Sequence, residues 1–200
     1  MNILHKVVFN NTVELFQKLL NNQALKTRFD SKTIQSVLDV GMGSGVSTKV
    51  LKKLYPHLHI EGLDIDNMLW PENQEFAITV YDGNRSPFDD KSFDLSLIFF
   101  VLHHAKNPEQ VLFEAKRVTK RYVLVVEELR FNAIQNVAMV LYDMLVNFVV
   151  FGHFIQLPHF KTEKQLRSLF AKIKLPVMDY HVIKKGLFIT KVAYLLENES

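Results

Sequence analysis

The sequence predicts an α/β fold, a three-layer sandwich in which an open, mostly parallel sheet carries helices on both faces. Three observations predict it. Short apolar runs at 36–40, 59–64, 76–82, 93–100 and 122–128 alternate with segments of helical periodicity. FDLSLIFF, 93–100, is apolar almost throughout, as a strand buried on both faces must be. SVLDV, 36–40, flows straight into glycines at 41, 43 and 45, which places bare backbone at the carboxyl end of a strand, where such sheets hold ligands.

The elements follow in order. A first helix is expected over 11–29, with Asn11 as cap, Glu14 in the capping-box position, and Val13, Phe16, Leu19 and Leu20 at helical spacing. The helix after the glycines should run to about Tyr55, where Pro56 marks its exit. HIEGLD, 59–64, is the second strand, and the link IDNMLWPENQE has room for at most two helical turns before the third strand, FAITVYD. GNRSPFDDKS, 83–92, is a loop rich in turn residues. Asn107-Pro108 opens a helix, with Gln110 in the box position, that ends near Thr119 before YVLVVEE. Beyond it the rhythm breaks: 131–157 is one long apolar segment, Thr162 with Gln165 signals another helix, and strands near 177–183 and 187–195 close the chain around Lys184-Lys185-Gly186.

The 200 residues suit one domain over 1–200, with 1–30 as an N-terminal helical extension and 130–160 as an apolar helical insertion. Charged residues make up 22% and apolar ones 48%, as in ordinary globular proteins. A net charge of +3 without a basic block gives no reason to expect nucleic acid as a partner. There is no cysteine, which excludes disulfides, thiolate nucleophiles and cysteine metal ligands. The opening MNILHKVVFN is interrupted by His5 and Lys6 and is too short for a signal peptide, so a cytoplasmic address is expected.

The glycine turn reads as a cofactor-binding element. Its spacing is G-x-G-x-G, not the G-x-G-x-x-G of dinucleotide proteins, and Asp39 precedes it. A carboxylate there repels a diphosphate and suits an ammonium or sulfonium cation, which disfavours an NAD-dependent oxidoreductase. Asp64 closes the second strand, where a carboxylate can accept both ribose hydroxyls. Asp82 closes the third strand and can accept from an adenine amino group. Taken singly, each acid could equally be a cap or turn former.

On these residues the chain resembles the class I S-adenosylmethionine-dependent methyltransferases, in their small-molecule, methyltransferase type 11-like branch. DVGMGSG at 39–45 is similar to that family's first motif and GLDID at 62–66 to its second. YDGNRSPFDDKSFDLSLIFFVLHH at 81–104 resembles the run from the adenine-binding acid into the fourth strand, and NPEQVLFEAKRV the helix after it. The resemblance implies a Rossmann-like, mostly parallel seven-stranded sheet whose last strand is antiparallel, and S-adenosyl-L-methionine as cofactor. It implies a cofactor site of Asp39, Gly41, Gly43, Gly45, Asp64, Ile65, Asp82, Gly83 and Phe100. Two features depart from the family pattern. No Pro-Gly-Gly turn precedes the fifth strand, and the link after Asp64 is short, leaving Met68, Leu69 and Trp70 to build an adenine wall or to fill core space.

Methyl transfer by in-line displacement to a small, apolar or aromatic acceptor is the implied activity, a positioning problem first. His103 and His104 follow the fourth strand, and either can serve as a base where the nucleophile must lose a proton. Glu127 or Glu128 can orient the acceptor. As metal ligands the two histidines would need a third, which Glu127 or Glu128 could supply, but nothing fixes the spacing and no metal is expected.

NVAMVLYDMLVNFVVFGHFIQL, 136–157, is long enough to span a membrane, but Asp143 near its middle would cost about 2.5–3.5 kcal/mol there. Asn136, Asp143 and Asn147 share one helical face. Three readings stand: a lid whose phenylalanines line an acceptor pocket, a homodimer surface, or a contact with a membrane surface. Tyr142, Asp143 and Phe148 are the acceptor-side residues expected from the first. The rival to the whole enzyme reading is a catalytically idle protein that keeps the fold for binding or assembly.

Overall fold

The computed structural model describes residues 3–152, 156–186 and 189–198. Its seven described strands are β1 (Ser36–Val40), β2 (His59–Asp64), β3 (Ile78–Val80), β4 (Phe93–Phe99), β5 (Thr119–Leu129), β6 (Val177–Lys185) and β7 (Thr190–Glu197). They form one sheet in the order β3-β2-β1-β4-β5-β7-β6. β1 to β5 pair in parallel, and β7 runs antiparallel to both β5 and β6. This is the expected Rossmann-like layout, with the antiparallel strand seated between its neighbours. Strand order reverses between β1 and β4, so the ligand crevice of such a sheet lies beside those two strand ends.

Six α-helices are described: α1 (Ile3–Leu20), α2 (Gln23–Asp30), α3 (Val46–Leu54), α4 (Pro108–Val118), α5 (Ala133–Phe151) and α6 (Glu163–Ile173), with one 3-10 turn at Pro71–Asn73 in the link after β2. Alternate residues of the central strands feed opposite cores, because successive side chains of a strand point to opposite faces. Val37, Leu95, Leu97, Leu124 and Val126 join Phe16, Leu19, Phe29 and Leu51 on one face. Leu38, Ile98, Val123 and Val125 join Leu112, Phe170 and Tyr194 on the other.

Several boundaries differ from expectation. The first helix does not start at Asn11, which lies inside α1; the helix begins at Ile3, because Val8, Phe9 and Val13 all pack on the core and carry the period upstream. It then breaks, and Asn22 caps α2 by accepting from the Leu25 N–H at 3.1 Å. β3 keeps only three residues of FAITVYD, as short edge strands often do. Asn107 caps α4, but the Gln110 side chain reaches the Asn84 carbonyl instead of completing a box. α6 carries the full Thr162–Gln165 capping box. The expected last strand starts later, at Thr190; its first two positions, 187 and 188, lie outside the described residues.

The apolar insertion is a helix, α5, followed by positions 153–155, which lie outside the described residues. By length and composition α5 could cross a membrane, and only 11% of its most apolar stretch is buried in the fold. Gln135 and Met139 are buried, Asp143 and Asn147 are half-buried, and Val137, Leu141, Leu145 and Val149 face outward.

Candidate active site

The glycine turn connects β1 to α3 at the carboxyl end of the sheet, with the Gly41 N–H donating to the Leu63 carbonyl of β2 at 2.7 Å. All three glycines have positive φ. Their surroundings differ. A side chain at Gly41 would collide with Val101, and one at Gly45 would come within 2.7 Å of Leu69 Cδ2. At Gly43 the nearest atoms, the Gly41 carbonyl oxygen and Phe151 Cζ, stand 4.0 Å from where a Cβ would sit. Gly41 and Gly45 therefore serve close packing, while Gly43 presents its bare backbone to open space.

Asp64 holds that backbone in place. One carboxylate oxygen accepts from the Gly43 N–H at 2.8 Å and the other from the Ile65 N–H at 2.7 Å. Burial pushes its carboxyl above the usual range, against the pull of those backbone donors. The Asp66 backbone N–H donates to the carboxylate as well, and the lone-pair capacity that remains can accept from a ribose hydroxyl. Asp39 lies beneath the turn, 2% exposed, and accepts from the Thr48 hydroxyl of α3 at 2.6 Å. Burial, with Asp64 adding to it, pushes its pKa up to about 6, although the Thr48 hydrogen bond opposes the rise. Its visible role is to tie β1 to α3 under the glycines.

Asp82 stands exposed two residues past β3 and accepts from the backbone and side-chain N–H groups of Asn84, which hold its pKa down. Ile65 is exposed, and its Cγ2 lies 3.7 Å from the position a Gly83 side chain would take, so these two residues form one shoulder of the rim. Trp70 is no part of it. Its ring stacks on His5 of α1 at 3.6 Å between centroids, and it belongs to the buried core together with a buried Leu69. Phe100 turns the chain with φ +60° after β4, and the Lys191 ammonium lies 4.6 Å above its ring.

The other half of the rim is made by side chains. Glu127 of β5 is buried and accepts from the Leu102 N–H at 2.7 Å with one oxygen and contacts His103 Nδ1 at 2.6 Å with the other. His103 Nε2 points at one oxygen of Asp143, 3.8 Å away, and His104 Nε2 points at the other, 3.5 Å away. Asn147, one turn along α5, donates to the Asp143 carboxylate at 2.9 Å. His104 Nδ1 faces the Gln156 carbonyl at 3.3 Å. Phe160 stacks on His103, and Lys161 donates to the carbonyls of Leu102 and His159.

Burial pulls the His103 pKa down, but Glu127 and Asp143 on either side outweigh it and hold it up to about 10. Burial pushes Glu127 up, and His103 reverses the sign and holds it below the usual carboxylate range. Asp143 is likewise raised by burial and brought well below that range by the two histidines.

Of the acceptor-side residues expected from sequence, Glu127 and Asp143 are thus brought to the histidine pair. Tyr142 and Phe148 are not: they stand on the outer side of α5, 54% and 47% exposed, since the face that carries Asp143 turns inward. Glu128 pairs with Lys191 at 3.2 Å, and its charge adds to those that raise the His103 pKa. Thr48, Phe160 and Lys161 were not foreseen; no local motif marks them, because each acts across the fold.

Comparison with known proteins agrees with this geometry. Residues 38–126 match the methyltransferase domain family. A demethylmenaquinone methyltransferase of Thermotoga maritima is 33% identical over 93 residues, covering 44% of this chain and 40% of the relative. The match therefore spans less than half the relative's own length. A methyltransferase of Haloferax volcanii, solved in complex with the Trm112 activator, superposes with a TM-score of 0.64 at 16% identity, over 83% of this chain and 82% of that one. An S-adenosylmethionine-dependent methyltransferase of Aquifex aeolicus superposes with a TM-score of 0.61 at 17% identity, over 82% of each chain. Residues 38–126 therefore carry a methyltransferase domain, and the chain has the fold of the S-adenosylmethionine-dependent methyltransferases.

Proposed function

We propose that this chain transfers a methyl group from S-adenosylmethionine to a small acceptor that is apolar or aromatic around a polar nucleophilic end. The observation that carries this reading is the contact between the two halves of the rim. Gly41 packs directly on Val101, two residues before His103, and Phe151 at the end of α5 lies over Gly43. An open glycine backbone and a buried histidine–carboxylate cluster therefore lie side by side at the carboxyl end of the sheet, next to α5.

The residues present fit the cofactor. The open side of Gly43 admits close approach, Asp64 can take the ribose hydroxyls, and Ile65 with Gly83 offers an apolar shoulder for an adenine. Asp82 stands at that shoulder to accept an amino hydrogen. Asp39 acts from below, adding negative charge and fixing the turn. When bound, S-adenosylmethionine supplies a methyl group on a positively charged sulfur. The chain's own work is to orient the acceptor and exclude water. The edge formed by His104 and Asp143 holds the acceptor's polar end, and His103, fixed between Glu127 and Asp143, positions both.

The inward face of α5 supports the lid reading of the 131–157 segment. Its outward apolar face is also where a second copy or a membrane surface would meet the chain. The Thermotoga relative is named for a quinone acceptor, which supports an acceptor of that character. Calorimetry with S-adenosylmethionine and NAD, followed by labelled-methyl transfer onto a panel of quinols and other hydroxylated aromatic compounds, tests the proposal. Cofactor binding without turnover across the panel would favour the idle binding protein, and NAD binding in its place would overturn the cofactor assignment.

A further inference from the structure

Both histidines of the rim direct one nitrogen at a group that can only accept. His103 Nδ1 lies 2.6 Å from the Glu127 carboxylate and His104 Nδ1 lies 3.3 Å from the Gln156 carbonyl. Each Nδ1 must therefore carry a hydrogen. The two Nε2 atoms both point at Asp143, one toward each carboxylate oxygen, at 3.8 and 3.5 Å. In the neutral tautomers those nitrogens present lone pairs to an anion. Three electron-pair donors then converge, all within 4.8 Å of one another, and a cation must stand between them. It can be a proton on an imidazole or a metal ion.

The supporting contacts favour the metal. A ligating histidine almost always donates its other ring N–H to a carboxylate or a backbone carbonyl, which sets the tautomer and raises the ligand's basicity. Here one histidine has each kind of partner. Asn147 donates to Asp143 and fixes the rotation of its carboxylate. The gaps of 3.5 and 3.8 Å are wide for hydrogen bonds. They are close to the roughly 3.0–3.5 Å that separates two atoms each about 2.1 Å from a shared ion. Two imidazoles and one carboxylate suit a borderline transition ion better than magnesium or calcium, which prefer oxygen throughout.

We propose that His103 Nε2, His104 Nε2 and the Asp143 carboxylate bind one divalent transition-metal ion of the zinc class, with Glu127 and Asn147 as positioning residues. Three protein ligands leave at least one coordination position open. On the methyl-transfer reading, on which this last step rests, that position takes the acceptor's hydroxyl oxygen. The hydroxyl proton passes to solvent, and the ion holds the resulting oxyanion opposite the methyl donor.

The test uses the full chain, stripped with a chelator and then titrated with Zn2+ by calorimetry and with Co2+ by visible absorption. One ion per chain is expected, with a zinc X-ray absorption spectrum showing two imidazole ligands and no competition from Mg2+. Asp143→Asn and His104→Gln should each weaken Zn2+ binding by about a hundredfold or more, and Glu127→Gln by about tenfold to a hundredfold. S-adenosylmethionine affinity, measured on the same proteins, should stay within about threefold and shows that each variant is folded. Absence of Zn2+ uptake by a wild-type chain that binds the cofactor would overturn the site, as would a spectrum without two imidazoles or equal binding by the variants. A chain that binds zinc as described but methylates nothing would keep the metal site and remove the acceptor role.

Discussion

Around β1, β2 and β3 the rim is built from backbone. Gly43, Asp64, Ile65 and Gly83 come from the turns that follow three neighbouring strands, and the key contact is a carboxylate accepting main-chain N–H groups. Around β4 and β5 it is built from side chains that arrive from separate places: His103 and His104 after β4, Glu127 on β5, Asp143 on α5 and Phe160 before α6. The first half keeps its shape by local conformation and leaves polar capacity for a ligand. The second keeps its shape by satisfying buried charges with one another. Damage to the two halves should therefore differ in kind, with lost ligand affinity on one side and lost stability on the other.

The largest effect is expected on the charged side. Glu127→Ala leaves the buried His103 without its closest partner and the Leu102 N–H without its acceptor, and should cost about 3–5 kcal/mol in chemical denaturation. A loss below about 1 kcal/mol would mean the cluster is not a stabilising unit. On the glycine side, Gly43→Val should leave the midpoint of unfolding within a few degrees yet abolish cofactor binding in calorimetry. Its Cβ meets no atom closer than 4.0 Å, so the side chain intrudes on the crevice and not on the core. The positive φ adds about 1–2 kcal/mol of strain. Retained affinity would show that the cofactor does not approach this backbone.

The same division separates what the sequence revealed from what it hid. The glycine turn, Asp64 at the end of β2 and the Thr162–Gln165 box are local patterns and appear where expected, whereas Asp82 lies two residues beyond β3, which ends at Val80. The helical face of Asp143 and Asn147 was also legible, being a matter of period alone. Which side that face would take was not. Tyr142 and Phe148 were expected inside and lie outside, because contact with His103 and His104 turns the helix the other way. Trp70 could have walled the adenine, but its stacking partner His5 comes from a helix whose start the sequence placed at Asn11. Long-range pairing decided each of these, and no spacing rule encodes it.

Asp39 tests whether the two halves are as separate as they look, since it is a buried charge on the backbone side. Its carboxyl titrates near pH 3.8 when unfolded and at about 6 when folded. Between those values the folded chain binds the extra proton, so stability falls as pH rises through the window. The cost is on the order of 3 kcal/mol in full. Asp39→Asn keeps an acceptor for the Thr48 hydroxyl and removes the titration, so its unfolding free energy should lose that slope between pH 4 and 7. The variant should also bind cofactor more weakly, having lost a negative charge beneath a cationic ligand. An unchanged slope would assign the titration to another group.

Asp64→Ala is expected to be gentler. On the proposed reading it removes the acceptor for the ribose hydroxyls, and it leaves the Gly43 and Ile65 N–H groups without theirs, so cofactor affinity should fall by more than about tenfold with the fold intact. Unchanged affinity would remove the ribose assignment and leave Asp64 as a brace for the turn.

The smallest effect sharpens the contrast from outside. Leu145 is 62% exposed on the outer face of α5, and leucine and lysine have nearly equal helix propensities. Leu145→Lys should therefore change unfolding free energy by no more than about 0.5 kcal/mol if water covers that face. Light scattering and binding to lipid vesicles, measured alongside, distinguish what else could cover it. A second copy of the chain would make the wild type dimeric and the variant monomeric, because a lysine buried in an apolar interface loses its hydration. A lipid surface would give vesicle binding by the wild type that the variant loses. If neither changes, α5 works through its inner face alone, and Asp143 is the residue by which it reaches the chemistry.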